Sequence, residues 1–147
     1  MIGKGGSMPQ VAARINSEQE RWLKEYFRTK SAGAEFILPW AVDAFFRAIN
    51  TIKKTFTVDE LKTLLEMHKD VRLQPDNSRV TYLLLRLEDA CEIAHIHERF
   101  NASRSSLESK VKNLNDTEAT ALMVWASAYW VSRTISAGSM DDYIAAY

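Results

Sequence analysis

The chain has one cysteine, Cys91, in 147 residues. An internal disulfide is therefore excluded, and a reducing cytoplasm is the simplest home. No apolar run approaches the ~20 residues that a membrane helix needs, because Arg, Glu or Asp interrupts each candidate. Residues 1–7 lack the apolar segment of a secretory signal. Three of the five glycines fall in this stretch, which reads as a flexible lead or a tag with Met8 as the alternative start. Gly-x-Ser-x-Gly, Gly-x-Gly-x-x-Gly and Walker-type loops are all missing, and so are repeats and low-complexity tracts. The expectation is a protein that is not an enzyme and uses no cofactor.

What is present suits a folded domain. Hydrophobic residues make up 46% and charged residues 26%, enough to bury a core without metal or disulfide staples. The zero net charge is unevenly spread. Residues 1–56 carry nine Lys/Arg and five Asp/Glu (9 − 5 = +4), and residues 57–147 carry ten and fourteen (10 − 14 = −4). A basic front suits an anionic partner, or the two halves simply attract one another.

Hydrophobic spacing then divides the chain. Pro9 to Asn16 alternates as a short strand does, with Val11, Ala13 and Ile15 on one face and Gln10, Ala12 and Arg14 on the other. Asn16 or Ser17 caps a helix to about Lys30, with a stripe of Trp22, Leu23, Tyr26 and Phe27; Ser31-Ala32-Gly33 breaks it. A second helix follows from about Ala34 to Lys54, apolar on most sides, as in a central helix or one that meets a partner chain. Pro39 marks a kink or a start in it. Thr57-Val58-Asp59-Glu60 is a capping box for a helix to about His68. Residues 71–77 read as a loop, and Asn77 or Ser78 opens a long helix to about Phe100. Ser105-Ser106-Leu107-Glu108 reads as a second capping box, for a helix to about Lys112. Asn115 starts the last major helix, and Ser139 caps a frayed terminal turn. The prediction is a mainly α protein: about six helices in an orthogonal helical bundle, with one short N-terminal β-strand. Residues 8–56 form one module and 57–147 a helical domain, either separate or continuous with it.

Reactive side chains are sparse. His95 and His97 lie two apart and face different ways on a helix. Glu92 and His95 form a single Glu-x-x-His pair, whereas a di-iron bundle needs two pairs and further glutamates, so no metal site is expected. Cys91, beside Glu92, reads as a buried structural thiol. The aromatic residues fall at helical spacing without interleaved Lys or Arg, as core residues do rather than a stacking surface for single strands.

One stretch resembles a known family. Met8-Pro9-Gln10-Val11-Ala12-Ala13-Arg14-Ile15, then a capped helix and an apolar helix opening Ala34-Glu35-Phe36-Ile37, resembles the ribbon-helix-helix (Arc repressor-like) DNA-binding proteins. The resemblance implies a homodimer whose paired strands enter the major groove of double-stranded DNA. Gln10, Ala12 and Arg14 would then read bases; Gln suits adenine, Arg guanine, and Ala a thymine methyl. Lys24, Arg28, Lys30 and Ser31 would meet phosphates, the last two at the N-terminus of the second helix. Val11, Ala13, Ile15, Trp22, Phe36, Ile37 and Trp40 would form the shared dimer core. The sequence departs from the family in the order Ser31-Ala32-Gly33-Ala34, in a shorter connection and in Pro39. Separately, Gly33-Ala34-Glu35-Phe36, Phe56 to Leu61 and Leu87 to Cys91 resemble a group of uncharacterised small helical bacterial proteins over about residues 33–131.

The expected function is a homodimeric, sequence-specific DNA-binding regulator of bacterial or mobile-element origin, in the cytoplasm and away from membranes. The acidic remainder, residues 57–147, would take a protein partner or effector. The alternative is a non-enzymatic helical protein–protein interaction module. A third reading is a small-ligand pocket lined by Trp40, Cys91, Trp125, Tyr129 and Trp130.

Overall fold

Local capping chemistry sets most of the helix starts. The computed structural model describes residues 16–27, 29–69, 78–131 and 138–147, and these contain eight helices. They are α1 (Ser17–Phe27), α2 (Lys30–Thr55), α3 (Val58–Met67), α4 (Arg79–Glu92), α5 (Ile96–Arg99), α6 (Arg104–Lys112), α7 (Asp116–Val131) and α8 (Met140–Ala146). The expected strand at 9–15 lies outside the described residues. The architecture is mainly α, as predicted, but the described residues hold eight helices instead of six.

Three capping boxes are complete. Asn16 Oδ1 accepts from the Gln19 N–H at 2.8 Å while Gln19 Oε1 accepts from the Asn16 N–H at 3.0 Å. Asn115 and Glu118 repeat this arrangement at 2.8 and 3.0 Å, and Thr57 with Glu60 does so at 3.1 and 2.8 Å. Each box satisfies two backbone donors that the first helical turn leaves free. The box predicted at Ser105 does not form. Ser103 is the cap, accepting from the Ser106 N–H at 3.3 Å, and Glu108 bonds Arg104 Nε at 2.8 Å instead.

Two additions raise the helix count. The helix expected to reach Phe100 stops at Glu92, because His95 takes a left-handed backbone (φ 51°) and starts the separate α5. Asn101, also left-handed at φ 56°, then ends α5 in a Schellman motif. The Ala102 N–H bonds His97 O at 2.8 Å, and the Asn101 N–H bonds Glu98 O at 3.2 Å. The terminal turn is likewise a helix: Ser139 accepts from the Asp142 N–H at 3.2 Å, and Tyr143 and Ile144 are buried.

The first break also moves. α1 ends at Phe27 and α2 begins at Lys30, so Ser31-Ala32-Gly33 is helical and Pro39 lies inside α2. Gly33 is not a helix stop. A Cβ on it would sit 2.7 Å from Leu23 Cδ2 and 2.9 Å from Phe27 Cδ2, so the missing side chain lets α1 and α2 approach closely.

Two compact units result, Met1–Ala41 and Val42–Tyr147. In the second unit, α3 packs against α4, α5, α7 and α8. Its Leu61, Leu64 and Leu65 are buried among Leu83, Leu87, Leu107 and Leu122. Directional bonds pin this core: Trp130 Nε1 donates to Leu65 O at 2.7 Å, and the Tyr143 hydroxyl donates to Trp125 O at 2.6 Å. No helix among the described residues is long and apolar enough to cross a membrane.

Candidate functional site

The described residues of the first unit enclose little interior among themselves. Among its described residues, Leu23 is the one buried large hydrophobic side chain, set against Gly33. Around it the rings form a chain: Trp22 lies 5.1 Å from Tyr26 and 5.7 Å from Phe27, and Phe27 lies 5.5 Å from Phe36, centroid to centroid. Most of these rings face outward. Trp22 is 46% exposed, Phe36 60%, Tyr26 68% and Trp40 72%. Clustered exposed aromatic groups are a feature common to surfaces that bind other molecules.

The predicted core residues divide accordingly. Trp22, Phe36 and Trp40 are exposed and Ile37 is half-buried, all in the first unit. Their companions Val11, Ala13 and Ile15 lie outside the described residues, as do the base-reading candidates Gln10, Ala12 and Arg14 and the phosphate candidate Arg28. Lys24 is described; its ammonium pairs with Glu20 at 3.0 Å on the open surface of α1. Lys30 and Ser31 occupy the first two positions of α2, whose first turn contains no acid. Thr29 caps that helix, its hydroxyl oxygen accepting from the Ala32 N–H at 3.1 Å. A helix start free of carboxylates keeps its partial positive charge available to an anion. Leu38 on the same helix is exposed as well, and the sequence reading missed the close-approach role of Gly33.

The second unit uses its reactive groups for structure. Cys91 is buried; burial pushes its thiol up, Arg104 opposes this, and Glu108 and Glu92 add to it, so the group stays protonated. Glu92 is held by Arg104 at 2.9 Å, and His95 faces Glu98 at 3.7 Å. No three His, Cys, Asp or Glu side chains among the described residues gather into a group that could hold a metal. Glu60 is buried yet well supplied with donors. Burial alone would raise its pKa, but hydrogen bonds from Lys110, the Thr57 N–H and Ser106 outweigh that and hold the carboxyl below its ordinary range. It therefore ties α3 to α6 as well as capping α3.

The residues of the aromatic pocket considered in the sequence are divided between the two units. Trp125 and Tyr129 pack against Tyr143 at 5.1 Å each, and Cys91 is buried in the same core cluster. Trp40 belongs to the other unit and is exposed. Neither a family model, nor a curated protein, nor a solved structure matches this chain.

Proposed function

We propose that the chain is a homodimeric, sequence-specific DNA-binding protein, a regulator of transcription that pairs through its N-terminal unit. The observation that carries this reading is the exposed aromatic face of a helical hairpin that buries, among its described residues, a single large hydrophobic side chain. A hairpin with so small an interior gains stability by sharing one with a second copy. In the proposed dimer Trp22, Phe36, Ile37 and Trp40 of both copies form that shared interior, and residues 9–15 of each pair into a two-stranded ribbon. Gln10, Ala12 and Arg14 read bases from the ribbon. The acid-free start of α2, with Lys30 and Ser31, takes a phosphate, and Lys24 and Arg28 add backbone contacts. The Lys24–Glu20 pair is solvent-exposed and weak, so a phosphate competes readily for the ammonium.

The test is mass by light scattering on the full chain and on a chain lacking residues 1–15, followed by duplex DNA binding across a salt series. The reading expects a dimer that needs the N-terminal residues and DNA affinity that falls steeply with salt. A dimer indifferent to DNA would replace it with the second reading, a helical protein–protein interaction module using the same face. A monomer that binds no DNA would overturn both the dimer and the DNA reading.

A further inference from the structure

A groove of about 380 Å³ runs between the end of α3 and the turn that joins α4 to α5, entirely within the second unit. Its volume is in the range of small-molecule sites. Its apolar surface combines the buried Met67 and Ile96 with Ile93, which is 77% exposed. The turn is held in shape by the left-handed backbone of His95, a conformation that side-chain-bearing residues rarely adopt.

Charge in the groove is uneven. Three cations line it, Lys69, Arg86 and Arg99, against two acids, Glu66 and Asp89. Arg99 and Glu66 neutralise one another at 3.1 Å. Lys69 lies 5.6 Å from the Trp130 ring centroid and forms no ion pair among the described residues. Arg86 is the more telling. Its Nε is buried without an acceptor, and the guanidinium pairs with no carboxylate among the described residues. Its neighbour just past the end of α3 is no acid either. His68 donates through Nδ1 to Leu64 O at 2.7 Å, and burial foremost, with help from Arg86, keeps its ring neutral. Arg86 lines the groove without a carboxylate partner among the described residues, so with Lys69 it leaves an excess of positive charge there.

We propose that this groove binds a small monocarboxylic acid with an apolar body, its carboxylate on Arg86 and its chain along Ile93, Met67 and Ile96. Lys69 adds to the attraction. Asp89, the groove's remaining acid and without an ion pair among the described residues, sets the limit on charge: it tolerates one negative charge against two cations and repels a dianion. The site does not depend on the DNA-binding reading, since no residue of the first unit takes part.

The experiment is calorimetric titration of the full chain with sodium octanoate, with inorganic phosphate and octylammonium in parallel. Octanoate is expected to saturate one site per chain, with phosphate and octylammonium far weaker. Arg86→Met, which keeps the length of the side chain and removes its charge, is expected to weaken octanoate by about tenfold or more. Should that variant fold poorly, Ile93→Glu serves. Ile93 is exposed, so its replacement spares the core while setting a negative charge on the groove wall, and octanoate binding should be lost. Octanoate that does not bind, or that binds both variants as it binds the parent chain, overturns the site. Phosphate binding as tightly as octanoate overturns the ligand class.

Discussion

Replacing Trp40 by alanine separates a shared aromatic interior from a merely exposed one. The side chain is 72% exposed in the single chain. A tryptophan presents on the order of 250 Å², so roughly 180 Å² is available to a partner, or about 4.5 kcal/mol per copy at ~25 cal/mol/Å². A twofold dimer contains the residue twice, which makes ~9 kcal/mol the upper bound. Association entropy and imperfect cover reduce this, yet even about 2 kcal/mol is some thirtyfold in the dimer Kd. The single chain should hardly respond, because an exposed helical site contributes within about 0.5 kcal/mol and alanine favours helix. Sedimentation velocity over a concentration series reads the first quantity, and far-ultraviolet circular dichroism the second. The expected result is a Trp40→Ala chain of unchanged helicity that associates at least about thirtyfold more weakly, with a melting temperature less dependent on concentration. Trp125→Ala is the contrast: that ring is 3% exposed and stacked on Tyr143, so its loss should cost about 3–5 kcal/mol of folding stability. A Trp40→Ala chain that associates like its parent would refute the shared interior.

Three further outcomes follow from the packing. Gly33→Val places carbon atoms where Leu23 and Phe27 already lie, so overpacking of roughly 1–3 kcal/mol should speed amide exchange in α1 and leave α3 and α4 protected. Glu60→Gln keeps the shape but leaves Lys110 without its counter-charge, costing about 1–3 kcal/mol at neutral pH in urea unfolding. Because the Glu60 carboxyl titrates below its ordinary value of 4.5 in the fold, its contribution is present above that value and lost as pH falls through the lower folded one, so the gap between parent and variant should close on acidification. Burial pushes the Tyr143 phenol up to about 12 from 10.0, with Tyr147 adding to the shift; stability from it is present below pH 10.0 and lost as pH rises towards about 12. Tyr143→Phe should lose about 1 kcal/mol at neutral pH, with its bond to Trp125 O, and should lack that alkaline decline.

The elements legible in the sequence are those set by chemistry within four residues. Thr57 with Glu60 and Asn115 with Glu118 each specify a helix start through a side-chain-to-backbone exchange, and both starts fall where the residues predict. The elements that were not legible depend on distant partners or on unusual backbone. His95 turns the chain without a glycine or proline to announce it. Glu108 abandons a local cap because Arg104 offers a charged donor, itself shared with Glu92. Gly33 reads locally as a helix breaker, whereas its use is to make room for Leu23 and Phe27. The candidate site was half legible for the same reason. The spacing of Trp22, Leu23, Tyr26 and Phe27 identifies an apolar stripe on the first helix, but a stripe alone does not say whether its own chain or another covers it.

The thiol of Cys91 turns the second unit into its own clock. It is the one sulfhydryl in the chain, it is buried, and its environment keeps it protonated. A thiol reagent therefore reaches it only when the packing of α4 opens, and the labelling rate counts those openings. The same seclusion keeps two chains from linking through it while folded, so association measured in the absence of reductant reports non-covalent contact alone.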